Sequence, residues 1–393
     1  MDRIRQLTSH FSSAPSGLPA LSKKSPDDVV ITMAVRSALT KAKKGGFKDT
    51  RSDELLTGMF KAAIAKMQID PALIQDICVG TVLPQAHPTK RARRLLQQAF
   101  HKRRPFRSST ALLKWINGRH HCRKPDPGWS NRHWVGSWGR DPDSGSPKLS
   151  DEIMAHNTAK DCVMPMGWTS ETWRKISISL AKTWTNSLLC RSHQRASEAQ
   201  RTGRFSEIVP VEGFSKSESE RTRIIVDKDD GIRHDTNPAA LGKIRSAFPQ
   251  WGGGKTTGGN ASQITDGAAA VLLMRRKKAE ELGLPILAKY ITTSVAGLAP
   301  RIMGIGPTYA IPMALEQTGL SVGCGFINEA FASMYVYSVR KLGLDIEKVN
   351  VNGGAIALGH PLDKCYSSVL SRLVLTYILR IYARQAHVKL QQA

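Results

Sequence analysis

Residues Val351 to Leu370 read VNGGAIALGHPLDKCYSSVL. The first half is dense in Gly and Ala and closes on Gly359-His360-Pro361, a composition that confines one imidazole to a constrained turn. After Leu362 the character changes abruptly to DKCYSSVL and a basic, tyrosine-containing tail. A confined His suits general-base and hydrogen-bond-donor work, because a neutral imidazole does both near pH 7. The same His read alone is also compatible with a satisfied core or surface residue.

Upstream, the chain alternates strand and helix patterns. DDVVITMAVRSAL, from Asp27, reads as a buried β-branched strand bounded by acids. RSDELLTGMFKAAIAKM reads as an amphipathic helix with Ser52 as N-cap and Leu55, Leu56, Phe60 and Ala63 on one stripe. IQDICVGTVL is a further short buried strand, and this order opens a layered α/β fold. ASQITDGAAAVLLMRRKKAEELGLPILAKY reads strand–helix–strand, and MGIGPTYAIPMALEQTGL reads as a Gly/Pro loop opening a helix. Between Pro84 and Ser150 neither period persists, and the pattern breaks again between Thr172 and Arg191.

The formal net charge is +25 over 393 residues, which at face value suggests a nucleic acid or another anionic partner. The charge is uneven. Pro84–Ser150 holds 15 Lys and Arg against 3 Asp, together with Trp115, Trp129, Trp134 and Trp138. A basic nucleic-acid-binding protein built around that segment is therefore one alternative reading, although the balance of observations points to no nucleic-acid partner. The six Cys are scattered without a CxxC pair, which argues against a disulfide framework and fits a reducing compartment. His120, His121, Cys122 and His133 lack ligand spacing, so no metal is expected. The WGGGKTTGG stretch from Trp251 fails the spacing of a phosphate loop. No run of about 18 apolar residues is present, so no membrane span is expected.

Several stretches together resemble the thiolases, in their peroxisomal 3-ketoacyl-CoA branch. They include VVITMAVRSALTKAKKGGFKDTRSDELL, DICVGTVL, DCVMPMGWTSE, DDGIR, GGNASQITDGAAAVLL, RIMGIGPTYAIP, NEAFAS and KVNVNGGAIALGHPL, in family order. The resemblance implies a thiolase-like α/β fold, with two related βαβαβ halves in a layered αβαβα arrangement and an inserted loop domain. It implies a leader over 1–26, an N-terminal domain over 27–285 with a loop domain at about 150–258, and a truncated C-terminal domain over 286–393. The implied reaction is thiolytic cleavage of 3-ketoacyl-CoA in fatty-acid β-oxidation, with coenzyme A as substrate and no permanently bound cofactor. His360 matches the family base and one oxyanion-hole donor, Asn328 matches the residue that holds a water in that hole, and Ser262 matches a contact to the pantetheine of CoA. Helix capping is the competing structural role for Asn328 and Ser262. The resemblance also implies a homodimer. RIRQLTSHF (Arg3–Phe11) resembles the N-terminal nonapeptide read by the peroxisomal import receptor, which makes the peroxisome the expected location.

The chain departs from the family pattern at its nucleophile. No Cys-Ser-Ser-Gly context occurs, and the C-terminal part contains no Cys-x-Gly. Cys78, Cys122, Cys162 and Cys365 all lie outside either family context. A one-base shift in reading, with synonymous codons chosen freely, permits thiolase-like sequence in Lys114–Arg140 and again in Thr172–Arg191. The family Cys position then coincides with Leu112. On this reading about Ala86–Ser150 and Thr172–Arg191 are out-of-frame translations, the tail from Asp363 is a third departure, and the chain is catalytically impaired. A non-catalytic acyl-CoA-binding protein that keeps Ser262, Asn328 and His360 is the second alternative.

Overall fold

A computed structural model describes residues 17–75, 77–80, 106–109, 150–156, 159–176, 184–217, 220–249, 254–321 and 325–361. Arg3–Phe11, Leu112, Cys122 and its neighbouring histidines, nearly all of 84–150, and the tail from Asp363 lie outside the described residues, as does Cys324.

Strand β1 (Val29–Arg36) is the centre of the first sheet. It pairs antiparallel with β8 (Ala269–Arg275) on one side and with β9 (Ala288–Lys289) on the other. Its β-branched run is buried almost continuously, as expected of a strand covered on both faces. A bulge between Ile31 and Met33 shifts the register, so that Ile31 and Ala34 pack with Ala288 while Met33 and Val35 serve the opposite cluster.

That opposite cluster is covered by α1 (Ser52–Lys66). The helix buries Leu55, Met59 and Ala63 against Val35, Phe47, Val211 and Val226. Each fully buried aliphatic side chain of this kind contributes roughly 1.5–3 kcal/mol over its exposed state. Two sequence expectations need correction here. Arg51 rather than Ser52 occupies the N-cap, because the Glu54 carboxylate reaches back to accept the Arg51 amide at 2.9 Å. The buried stripe runs through Leu55, Met59 and Ala63, with Leu56 and Phe60 only half-buried.

Strand β2 (Thr40–Lys41) pairs with β7 (Thr265–Asp266), and β3 (Ile77–Gly80) pairs parallel with β4 (Phe106–Ser109). The hairpin β5 (Val211–Lys216) and β6 (Arg221–Val226) falls inside the range read as a loop domain. Its Val211 and Val226 nevertheless complete the α1 cluster, because their alternating faces turn toward Phe47 and Met59. The break expected over Thr172–Arg191 is narrower than the sequence pattern indicated. Helix α2 (Met166–Ile176) continues past Thr172, and α3 (Trp184–Arg201) starts before SHQ. Cys190 on α3 is buried with Leu241, Ala332 and Ile356, and its thiol donates to the Thr236 carbonyl. Once α3 is anchored by such contacts, extending it N-terminally adds one hydrogen bond per residue ordered.

In the C-terminal part, Gly306 precedes α4 (Pro307–Thr318), which stops at Gly319 with φ +62°. Helix α5 (Ala332–Lys341) buries Tyr335, Val336 and Val339 against Ile327 and Val349. The four-residue α6 (Ala355–Leu358) packs on α3 through Ala196 and Ala357.

One buried ion network ties β1 to the loop before the site. The Arg36 guanidinium is fully buried, lies 5.5 Å from the Phe205 ring, and binds both carboxylate oxygens of Asp229 at 2.8 and 2.9 Å. Glu207 accepts from its Nε at 3.1 Å, and Asp229 also takes the Leu39 amide at 2.7 Å. Burial opposes the charge on Arg36, but the two carboxylates outweigh it and raise its pKa. Removing one member leaves a buried charge poorly compensated. Asp229→Asn is therefore expected to destabilise the fold by about 3–5 kcal/mol in urea unfolding. A change under about 1 kcal/mol would contradict this role.

Candidate active site

Three segments that are remote in sequence converge on His360. The middle one, Asn260–Asp266, runs between the other two as an extended spine. On one side, Ser262 donates its amide to the Ala330 carbonyl at 2.9 Å, and Ala332 donates to Asn260 at 2.9 Å. On the other side, the His360 amide donates to the Gln263 carbonyl at 2.9 Å, and Ile264 bridges His360. The NEAF loop and the GHP turn are thus registered against each other through shared main chain.

Gln263 contributes its side chain as well. Its Nε2 donates to the Gly231 carbonyl at 2.6 Å and lies 3.3 Å from the carbonyls of Ile356 and Ala357. Those two carbonyls belong to α6 and its last turn, so one amide group ties the DDGIR loop to the helix leading into His360. The sequence reading missed Gln263. The available signal was a polar side chain beside Ser262, just ahead of a run of small and apolar residues.

His360 is 6% exposed, and its Nε2 lies 3.4 Å from Asn328 Nδ2. In the tautomer that leaves the lone pair on Nε2, that atom can take the amide N–H and can act as a base. The spacing is long for a hydrogen bond, so the pair is only weakly engaged with itself. The sequence-predicted Asn328 and His360 are therefore brought together. Asn328 does not cap a helix: the N-cap of α5 is Phe331. Ser262 is half-buried on the spine, also away from any helix start, and its backbone rather than its side chain makes the bond to Ala330.

The Gly-rich composition has a specific cause at Gly359. Its φ of +101° with ψ of 166° is a conformation reserved for glycine. A Cβ placed there would sit 2.2 Å from Thr265 Cγ2, so the turn presses directly onto the spine. Elsewhere, the amides of Lys255 and Thr256 in the glycine-rich GGGKTTGG stretch are taken by the Glu171 carboxylate at 2.8 and 2.6 Å. Among the described residues, no group of three or more His, Cys, Asp or Glu is placed to hold a metal ion. No helix there is long and apolar enough to cross a membrane.

Gly359→Ala is expected to lower stability by at least about 2 kcal/mol, from strain of about 1–3 kcal/mol at positive φ plus the clash with Thr265. Thermal unfolding checks it, and an unchanged midpoint would contradict the tight turn.

The thiolase N-terminal domain family matches residues 29–102 and 144–277, and the thiolase C-terminal domain family matches 284–391. The unmatched interval, 103–143, falls inside the divergent segment and includes Leu112. The C-terminal match continues past Leu362, where the recognisable motif stops. The peroxisomal 3-ketoacyl-CoA thiolase of Yarrowia lipolytica is 39% identical over 95% of this chain and 94% of that protein. The human peroxisomal 3-ketoacyl-CoA thiolase is 42% identical over 92% of this chain and 89% of that protein. The dimeric peroxisomal thiolase of Saccharomyces cerevisiae has a similar structure, with a TM-score of 0.75 and 33% identity, covering 92% of this chain and 93% of that one. On family match, identity and fold together, the chain belongs to the thiolase family.

Proposed function

We propose that the site is built for thiolytic cleavage of 3-ketoacyl-CoA in peroxisomal fatty-acid β-oxidation. The observation that carries this reading is the meeting of Asn328 with His360 on the Ser262–Thr265 spine. The peroxisomal relatives and the Arg3–Phe11 nonapeptide support the location and a receptor-mediated import. The dimeric yeast thiolase supports a homodimer.

Cleavage needs a thiolate to attack the 3-keto carbon, after which the C2–C3 bond breaks and acetyl-CoA leaves as its enolate, to be protonated. A second thiolate, that of coenzyme A, then takes the acyl group from the enzyme sulfur. On this reading His360, in the tautomer that leaves the lone pair on Nε2, accepts the thiol proton and afterwards donates to an oxyanion. Asn328 is the second polar group facing the same point, suited to holding a water there. Ser262 is the residue on the spine for the pantetheine arm.

The nucleophile is the missing part. Its expected position coincides with Leu112, in the interval that the thiolase family does not match. The unmatched interval 103–143 supports a shifted frame within 86–150, whereas 172–191 lies inside the matched range and its reading rests on the sequence alone. On the shifted-frame reading the basic charge of 84–150 is a by-product rather than a binding surface. Sequencing the transcript tests the point: a frame discontinuity at both segments is expected, and an uninterrupted frame encoding these residues would overturn it.

The function is tested by thiolysis of acetoacetyl-CoA. The chain as it stands is expected to bind acetyl-CoA but to turn over several orders of magnitude more slowly than a frame-restored chain carrying Leu112→Cys. His360→Ala in the restored chain is expected to remove most of the gain. Full turnover by the unrestored chain would contradict the assignment of the nucleophile. Binding of acetyl-CoA with no turnover even after restoration would favour a non-catalytic acyl-CoA-binding protein.

A further inference from the structure

Asn328 is followed by a carboxylate that the reaction does not use. In an extended segment successive side chains point in opposite directions. Asn328 faces His360, and Glu329 faces inward, where it is 3% exposed. A buried carboxylate is costly unless its oxygens are hydrogen-bonded. Here they are bonded, and the partners share one feature: they belong to the elements that frame the His360 turn.

Ser192 on α3 donates its hydroxyl to Glu329 Oε2 at 2.7 Å, while its own oxygen accepts the Gly354 amide at 3.0 Å. The Ile356 amide approaches the same carboxylate oxygen at 3.4 Å. Asn350 Nδ2 donates to Oε1 at 2.8 Å. The orientation of that amide is fixed, because Asn350 also exchanges two hydrogen bonds with the main chain of Ile327, at 2.9 and 2.8 Å. Ser192, Asn350 and Ile356 can all donate at once, a set that suits the ionised carboxylate. Burial pushes the Glu329 pKa up, against the pull of Asn350, Ser192 and Ile356. Burial, with Glu329 second, likewise raises the Tyr335 phenol.

The backbone has been brought as close as it can come. A Cβ on Gly354 would fall 2.0 Å from the Glu329 carboxyl carbon, and Gly353 beside it has φ +82° and rests on Ser192 and Ala196. The Gly353-Gly354 pair therefore lets the main chain dock on the carboxylate. From Gly354 only α6 and Gly359 intervene before His360.

We propose that Glu329 is a positioning residue of this site. Its carboxylate, acting through Ser192, Asn350 and the Gly354 and Ile356 amides, fixes the His360 turn against the loop that carries Asn328. Because Asn328 and Glu329 are adjacent, the same peptide that offers the polar group also clamps the turn it must meet. The inference takes from the thiolase reading only the pairing of Asn328 with His360, and its test is independent of turnover.

The test is NMR on the full chain with labelled His and Asn, comparing the natural protein with Glu329→Gln, Glu329→Asp and Ser192→Ala. Glutamine keeps the shape but turns an NH2 toward one of the donors. In Glu329→Gln the contact signal between the Asn328 carboxamide and the His360 ring is expected to fall to about half or less. Amide exchange over Gly354–His360 is expected to speed by about tenfold. Glu329→Asp, which keeps the charge, is expected to recover part of the contact signal, an effect that simple loss of packing would not produce. If Glu329→Gln does not fold, Ser192→Ala decides by the same two readouts. A folded variant with the natural contact signal and exchange rates would overturn the proposal. Absence of acetyl-CoA binding in the natural chain, by contrast, would count against the thiolase function and leave this result standing.

Discussion

The main-chain hydrogen bond from His360 to Gln263 is the contact on which the site depends. It makes the GHP turn a neighbour of the 260–266 spine, whose other edge already holds the NEAF loop through Ser262 and Ala330. Side chains can relax, whereas a one-residue slip of main-chain register turns every side chain to the other face and is expensive where one face is buried. Both polar groups of the site are thus fixed relative to one extended segment. The small residues around it follow from that constraint, since Gly359 leaves no room for a Cβ beside Thr265.

Two buried carboxylates support the arrangement from behind. Asp229 neutralises Arg36 and places the DDGIR loop, whose Gly231 carbonyl receives the Gln263 amide. Glu329 gathers Ser192, Asn350 and the start of α6. A buried ionic group gives little net stability compared with an apolar replacement, but breaking one is costly. Their value here lies in fixing one arrangement of loops, beside the apolar packing that Ile232, Ile356 and Leu358 provide.

Much of this was legible in the sequence, in proportion to how local the causes are. The β-branched run of β1 and the 3.6 period of α1 declared themselves. The cap of α1 was misplaced by one residue because Glu54, not a hydroxyl, satisfies the Arg51 amide. His360 and Asn328 were singled out through the family resemblance, and their proximity is what the structure adds. Gln263, Glu329 and Ser192 were not singled out. Their roles rest on contacts spanning roughly 20 to 160 residues, which no period or turn signal encodes. The hairpin β5–β6 lies in the range read as a loop domain within the N-terminal domain, and nothing local says that its Val211 and Val226 will meet α1.

The central claim is that Asn328 and His360 face one bound CoA thioester. Titrating the full chain with acetyl-CoA while following the side-chain resonances of both residues tests it directly. Both are predicted to shift together and to report a single dissociation constant. Binding that leaves the two resonances unmoved, or that gives them different dissociation constants, would contradict it.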